Sequence, residues 1–248
     1  MIVCLALALP QGATAQQSMA EGFSRMKLQS ANRPDGLARV TFPDGSRAER
    51  FILGAGDCPA STGDCRSDRE RIEFYEQPPA QRVGSETWVG WDIYLPPDFP
   101  RQSGNRPPNI IMGQFHQYGR SGPEVLFQLR PEGYEVKLSD PYRLDDDPMN
   151  PIPDFRNVLV ASRGSMIGRW TRVEVNARWS RGEDGFIRIY VNGRERWSYS
   201  GATTNANETI YFKYGIYRSF VSRCGGPCPT LTAYFRNVKR GSTRAAIQ

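Results

Sequence analysis

The sequence predicts an all-β fold: a jelly-roll sandwich of two antiparallel sheets, concanavalin-like, in one domain. Three observations predict it. Short runs of alternating apolar and polar residues recur along the chain, bounded by Gly, Pro, Asn or Asp. Strands never alternate with helical periodicity, so a parallel βαβ sheet is excluded. No fixed-period repeat is visible, which argues against propellers and solenoids. With 248 residues, 39% hydrophobic, 24 Gly and 19 Pro, the chain has material for one turn-rich domain with a sizeable core.

Met1–Ala15 is uncharged and largely apolar and ends in the small-x-small triplet Ala13-Thr-Ala15. It reads as the h- and c-regions of a signal peptide, too short to span a membrane, and predicts a periplasmic or secreted protein with residues 16–248 as the mature domain. Ser18-Met-Ala-Glu21 has capping-box form and predicts a short helix to about Leu28. Leu37–Phe42 and Arg47–Leu53 then flank the turn Pro43–Ser46. Without Cys4, four cysteines remain, and in an exported chain the close pairs Cys58–Cys65 and Cys224–Cys228 are the expected disulfides. A four-thiolate zinc site is the competing reading, disfavoured by spacings unlike a zinc ribbon.

Strands follow at Arg69–Tyr75, Thr87–Leu95, Asn109–His116, Val125–Arg130 and Tyr134–Leu138. An Asp- and Pro-rich loop spans Ser139–Pro153. Its acidic residues Asp140, Asp145, Asp146 and Asp147 lack EF-hand spacing and read as a solvated turn, with a structural calcium site as the alternative. Strand patterning resumes at Asn157–Ala161, Trp170–Trp179, Phe186–Val191, Glu195–Tyr199, Thr209–Arg218 and Thr230–Val238. Asn192-Gly193 is a strong two-residue hairpin signal.

The chemistry is concentrated on three strands. Alternation sends Tyr211, Lys213, Gly215 and Tyr217 to one face of their strand, with the glycine leaving space between lysine and tyrosine. Gln114 and His116, the one histidine of the chain, share a face of another. Those two strands are expected to be neighbours whose polar faces line one groove. On a third, Arg69, Arg71, Glu73 and Tyr75 share a face, and two arginines with a carboxylate cannot lie in a core unless paired. One reading is a cross-strand charge ladder; the other is that Arg71 grips a substrate carboxylate while Glu73 orients it. Gln128 and Arg130 could extend the same groove. His116 has the ordinary pKa, about 6.5, of a base at neutral pH.

Other chemistries are excluded. One histidine rules out HExxH and multi-histidine metal centres, and there is no GxSxG elbow, Walker A loop or GxGxxG after a strand. The period-two carboxylates of a sandwich glycosidase are missing. A formal charge of +6 points to an anionic partner, but without a long Lys/Arg run that partner is neither nucleic acid nor a membrane surface.

The succession Arg71–Phe74, Trp88–Trp91, Gln114-Phe-His116, Gly168-Arg-Trp170, Trp179-Ser180, Asp184-Gly185, Val191-Asn-Gly193 and Lys213–Tyr217 resembles the heparinase-I-like and glucuronan lyase group of polysaccharide lyases. The resemblance runs from about Arg69 to Val238. It implies a β-jelly roll that binds acidic polysaccharide in a groove and cleaves it by β-elimination. His116 and Tyr217 would be the catalytic pair, with Lys213 and Gln114 binding substrate and Arg71 or Arg69 on the carboxylate. Elimination removes the weakly acidic proton beside a uronate carboxylate, so a cation or amide must stabilise the enolate-like anion. Tyr217 could act as a tyrosinate whose pKa the cation at Lys213 lowers, or as the acid for the leaving oxygen. No metal or cofactor is required by this chemistry, and the enzyme is expected to be a monomer. A lectin-like binding sandwich without catalysis is the alternative; it needs neither His116 nor Tyr217.

Overall fold

The computed structural model describes residues 17–118, 122–141, 154–205 and 209–248. Its strands, in chain order, are β1 (Met26–Gln29), β2 (Leu37–Thr41), β3 (Arg47–Leu53), β4 (Arg69–Glu76), β5 (Gln81–Arg82), β6 (Glu86–Tyr94), β7 (Asn109–Gln117) and β8 (Pro123–Leu129). They continue as β9 (Gly133–Ser139), β10 (Asp154–Ser162), β11 (Trp170–Arg178), β12 (Phe186–Val191), β13 (Arg194–Ser200), β14 (Thr209–Ser219) and β15 (Leu231–Gly241). A single helical turn, α1 (Arg163–Met166), and short 3-10 turns complete the described chain.

The strands form two antiparallel sheets, as a jelly-roll sandwich requires. One has the order β1-β4-β14-β7-β8-β9-β10, with β5 added against β14; the other runs β13-β12-β11-β6-β15-β3-β2. The three chemistry-bearing strands are therefore adjacent, with β14 between β4 and β7.

Alternation fixes the register. Phe212, Tyr214 and Ile216 of β14 point into the sandwich and meet Phe51, Trp91 and Phe235 of the opposite sheet, all fully buried. Rings interlock at 5.2 Å (Trp91–Phe212), 5.8 Å (Phe51–Tyr214) and 4.9 Å (Trp91–Phe127). Burying each such side chain stabilises the fold by about 1.5–3 kcal/mol. Sliding β14 by one residue would expose all three and drive Lys213 into hydrocarbon, so the polar face is held outward by its apolar reverse. The Asn192-Gly193 hairpin forms as expected, with both residues at positive φ (50° and 79°) and Val191 paired to Arg194.

The helix expected from Ser18 to Leu28 does not form; Met26–Gln29 is instead strand β1, paired with Glu73–Glu76. The serine still accepts a local bond from Ala20 N–H (2.9 Å), but its hydroxyl also lies 2.5 Å from the Tyr214 hydroxyl and the next N–H goes to Glu49 at 2.7 Å. Tertiary partners and an open sheet edge thus win over a weak local helix signal. Both expected disulfides, Cys58–Cys65 and Cys224–Cys228, are present. The leader Met1–Ala15 with Cys4, and Asp145, Asp146 and Asp147 of the acidic loop, lie outside the described residues. Among the described residues, no group of three or more His, Cys, Asp or Glu side chains could hold a metal ion, and no helix is long and apolar enough to cross a membrane.

Candidate active site

The outer face of β4, β14 and β7 carries a charge cluster centred on Glu73, which is 2% exposed. Register brings it together: Gly215 pairs with Glu73, and Lys213 pairs with Gln114 on its other side. Gly215 has φ of +132°, and a Cβ there would stand 2.5 Å from the Ile72 carbonyl oxygen, so only glycine allows β14 to lie this close to β4. The Glu73 carboxylate accepts from Arg71 Nη1 at 2.9 Å, from Gln114 Nε2 at 2.9 Å and from Lys213 Nζ in a close ion pair. Burial would raise the Glu73 pKa, but these donors hold it below the usual carboxylate range. One carboxylate is shared among three donors, and Glu73 is the one ion-pair partner of Lys213 among the described residues. Burial accordingly pulls the Lys213 ammonium below its ordinary pKa, with Glu73 opposing the shift and Arg71 adding to it.

Arg71, expected as a substrate clamp, has its guanidinium engaged within the protein. Its Nη2 donates to Asp64 Oδ1 at 2.7 Å, its Nε donates to Asp64 Oδ2, and its Nη1 is on Glu73. Every edge of the guanidinium is engaged inside the protein, and the Tyr217 ring lies over it with the centroid 4.5 Å from Cζ. Arg69 is exposed on the same face beside Ser219, without an ion-pair partner among the described residues. Gln128 and Arg130 do not join the cluster; both donate to Asn109 Oδ1, at 3.0 and 3.2 Å, and Gln128 is buried.

His116 and Tyr217 are half-buried and share the outer face, but they do not stand opposite each other. His116 pairs with Tyr211, and Tyr217 pairs with Ile111 on one side and Arg71 on the other. Five residues of β7 separate the two pairing levels, about 16 Å of backbone at roughly 3.3 Å per residue, a separation of Cα positions and not of the ring atoms that reach over the cluster. Between them β14 carries one residue more than β7, a bulge at Gly215 and Ile216. Lys213, Gln114 and Glu73 fill the interval, and Arg71 and Glu73 act electrostatically on both rings.

Both rings have a defined protonation. His116 Nδ1 lies 3.0 Å from the Gln117 carbonyl oxygen, which can only accept, so Nδ1 carries the proton and Nε2 keeps its lone pair. Burial, aided by the positive charges of Lys213 and Arg71, lowers the His116 pKa to about 4 against the opposing pull of Gln117 and Glu73. The imidazole is neutral at pH 7. Tyr217 is the opposite of the tyrosinate considered above: burial raises its pKa, and the nearby Arg69 and Arg71 offset this only in part. It is a phenol at neutral pH.

The contacts of three residues escaped the sequence reading. Tyr211 was placed on the correct face, but its stacking on His116 (centroids 5.2 Å apart, planes at 28°) depends on cross-strand register that alternation does not give. Tyr118 also packs on Tyr211, at 4.4 Å, and donates to the Glu76 carbonyl. Asp64, the anchor of Arg71, was visible only as part of a disulfide loop.

A family profile described as polysaccharide lyase matches residues 17–239. The chain belongs to the polysaccharide lyase family. It is an enzyme of that family, a lyase acting on acidic polysaccharides, and the profile does not narrow it to the heparinase-I-like group. Among solved structures, this lyase is similar to the endo-β-1,4-glucuronan lyase of the fungus Trichoderma reesei, at 18% identity and TM-score 0.66 over 91% of this chain and 93% of that one. It is also similar to an alginate lyase of Klebsiella pneumoniae (14% identity, TM-score 0.53, 84% and 85% covered). A third similar structure is a family 7 alginate lyase with substrate bound, in a form with one histidine and one tyrosine replaced (16% identity, TM-score 0.57, 87% and 91% covered). At these identities the likeness is one of fold. No curated protein sequence matches the chain.

Proposed function

We propose that this lyase cleaves a uronate-containing polysaccharide by β-elimination in the groove of β4, β14 and β7, leaving an unsaturated uronate at the new non-reducing end. His116 Nε2 takes the proton from the carbon beside the uronate carboxylate. The electron pair forms the new carbon–carbon double bond, the adjacent carbon–oxygen bond breaks, and Tyr217 gives its phenolic proton to the leaving glycosidic oxygen. Proton exchange with water then resets both groups.

The observation that carries this reading is that burial holds the base free and the acid loaded on one face, around one charge cluster. The cluster is also one negative charge short. Among the described residues, the ion pairs set Arg71 and Lys213 against Asp64 and Glu73, the exposed Arg69 on the same face adds one more positive charge near Tyr217, and a uronate carboxylate supplies its counter-charge. Because Arg71 is engaged with Asp64 and Glu73, Arg69 takes over the carboxylate clamp, with Gln114 and Lys213 as further polar contacts. The histidine and tyrosine replaced in the substrate-bound alginate lyase favour the same pair of residue types here. Residues 16–248 act as one domain and a monomer without a required cofactor, and two disulfides suit a periplasmic or secreted enzyme.

The test is ultraviolet absorbance of the conjugated double bond, with glucuronan, alginate, heparin and hyaluronan offered in turn. Wild type gives a signal on at least one polymer, and Tyr217→Phe and His116→Asn each lower kcat on it by about a hundredfold or more while substrate still binds. Silence on every polymer while one of them binds would convert the reading to a lectin-like sandwich.

A further inference from the structure

The 58–65 loop is too elaborate for a mere connection. The disulfide closes it, and the Arg71 N–H donates to the Asp57 carbonyl at its base, 2.9 Å. Asp57 itself accepts from Gly54 N–H at 2.6 Å and Arg33 Nη1 at 3.2 Å. At its far end a 3-10 turn (Asp64–Arg66) begins next to Cys65 and turns the Asp64 side chain inward, where it is 0% exposed. A carboxylate so placed needs a cation, and Arg71 meets it with two adjacent nitrogens. This two-point fork fixes the plane of the guanidinium as well as its position. What lies against that plane is the Tyr217 ring, and what lies at its remaining edge is Glu73, the centre of the cluster.

We infer that Asp64 is a positioning residue for the lyase reaction: the disulfide-closed loop delivers its carboxylate to lock Arg71 flat beneath Tyr217 and edge-on to Glu73. The inference rests on the elimination reading given above. Asp64 touches neither ring nor substrate; it acts through Arg71. In this arrangement Arg71 is scaffold, and the loop is part of the catalytic apparatus.

The experiment compares wild type with Asp64→Asn, which keeps the shape but removes the charge and one acceptor edge. Two readouts are taken: kcat and KM on the polymer that wild type cleaves, and hydrogen exchange of the Arg71 Nε–H followed by NMR and assigned with Arg71→Lys. In Asp64→Asn, kcat falls about tenfold or more with KM within about twofold, because alignment and not binding is lost. The Arg71 Nε–H exchanges about tenfold faster. A second variant, Cys58→Ser/Cys65→Ser, keeps the carboxylate but opens the loop, and moves both readouts in the same direction by less. An unchanged kcat, or a rise confined to KM, overturns the inference, and so does unchanged exchange. If Asp64→Asn does not fold, the double serine variant decides by the same criteria. If wild type cleaves nothing, the elimination reading fails alone, and the Arg71 exchange rate still decides whether Asp64 locks that side chain.

Discussion

Glu73→Gln removes the one charge at the centre of the cluster while keeping shape and an acceptor. The Lys213 ammonium then stays buried, its side chain 6% exposed, with its carboxylate gone, and Arg71 keeps only Asp64. Removing one partner of a buried ion pair costs about 3–5 kcal/mol because an uncompensated charge remains. In a chain of this length each kcal/mol moves the thermal midpoint by about 2–4 °C, so Glu73→Gln should melt on the order of 10 °C below wild type. Relief should follow when the stranded charge is also removed: Glu73→Gln/Lys213→Met recovers most of the lost stability without recovering activity. Differential scanning calorimetry at one pH and salt concentration measures both. A single variant melting within about 2 °C of wild type, or a double variant no more stable than the single, would refute the view that Glu73 compensates a buried lysine.

Two pH dependences follow. Because His116 must be neutral and its pKa is lowered to about 4, kcat/KM should hold down to mildly acidic pH and fall only as pH drops through about 4; an acid limb near the ordinary histidine value would refute the environment described for the ring. On the reverse side of β14, Glu49 accepts from Tyr214 Oη and Met19 N–H, both at 2.7 Å, and burial raises its pKa from 4.5 to about 7. The folded state therefore binds a proton more tightly than the unfolded chain. That contribution, about 3 kcal/mol, is present in full below the unfolded pKa and is lost as pH rises through about 7. Glu49→Gln should flatten the decline of the thermal midpoint across that range, and an unaltered slope would refute the assignment.

Much of this was readable from period two alone. The face bearing Tyr211, Lys213, Gly215 and Tyr217 is correct because its reverse, Phe212, Tyr214 and Ile216, is fully buried. The need for glycine at 215 could be suspected, and the disulfide partners follow from their closeness in sequence. Pairing partners were not readable. That β14 lies between β4 and β7 fits the pattern, but that His116 meets Tyr211 and not Tyr217 depends on register and on a bulge that leave no local mark. The pKa directions failed for a related reason: Lys213 was expected to acidify Tyr217, yet desolvation of the half-buried phenol outweighs the nearby cations. The different surroundings of Arg71 and Arg69 were not readable because Asp64, which engages Arg71 alone, approaches from a loop. The helix expected at Ser18 failed where a hydroxyl suited to capping found a distant tyrosine.

The reverse of β14 has a practical consequence for anyone retargeting the enzyme. Residues 212, 214, 216 and 218 are all sealed inside, the last as a buried arginine bound to Glu70, so alleles that swap side chains along this ribbon will mostly be casualties of folding. Lys27 on β1, Leu126 on β8, Lys137 on β9 and the half-exposed Leu159 on β10 carry no such liability. A mutant library aimed at a new polymer belongs on those banks, leaving the bed of the channel untouched.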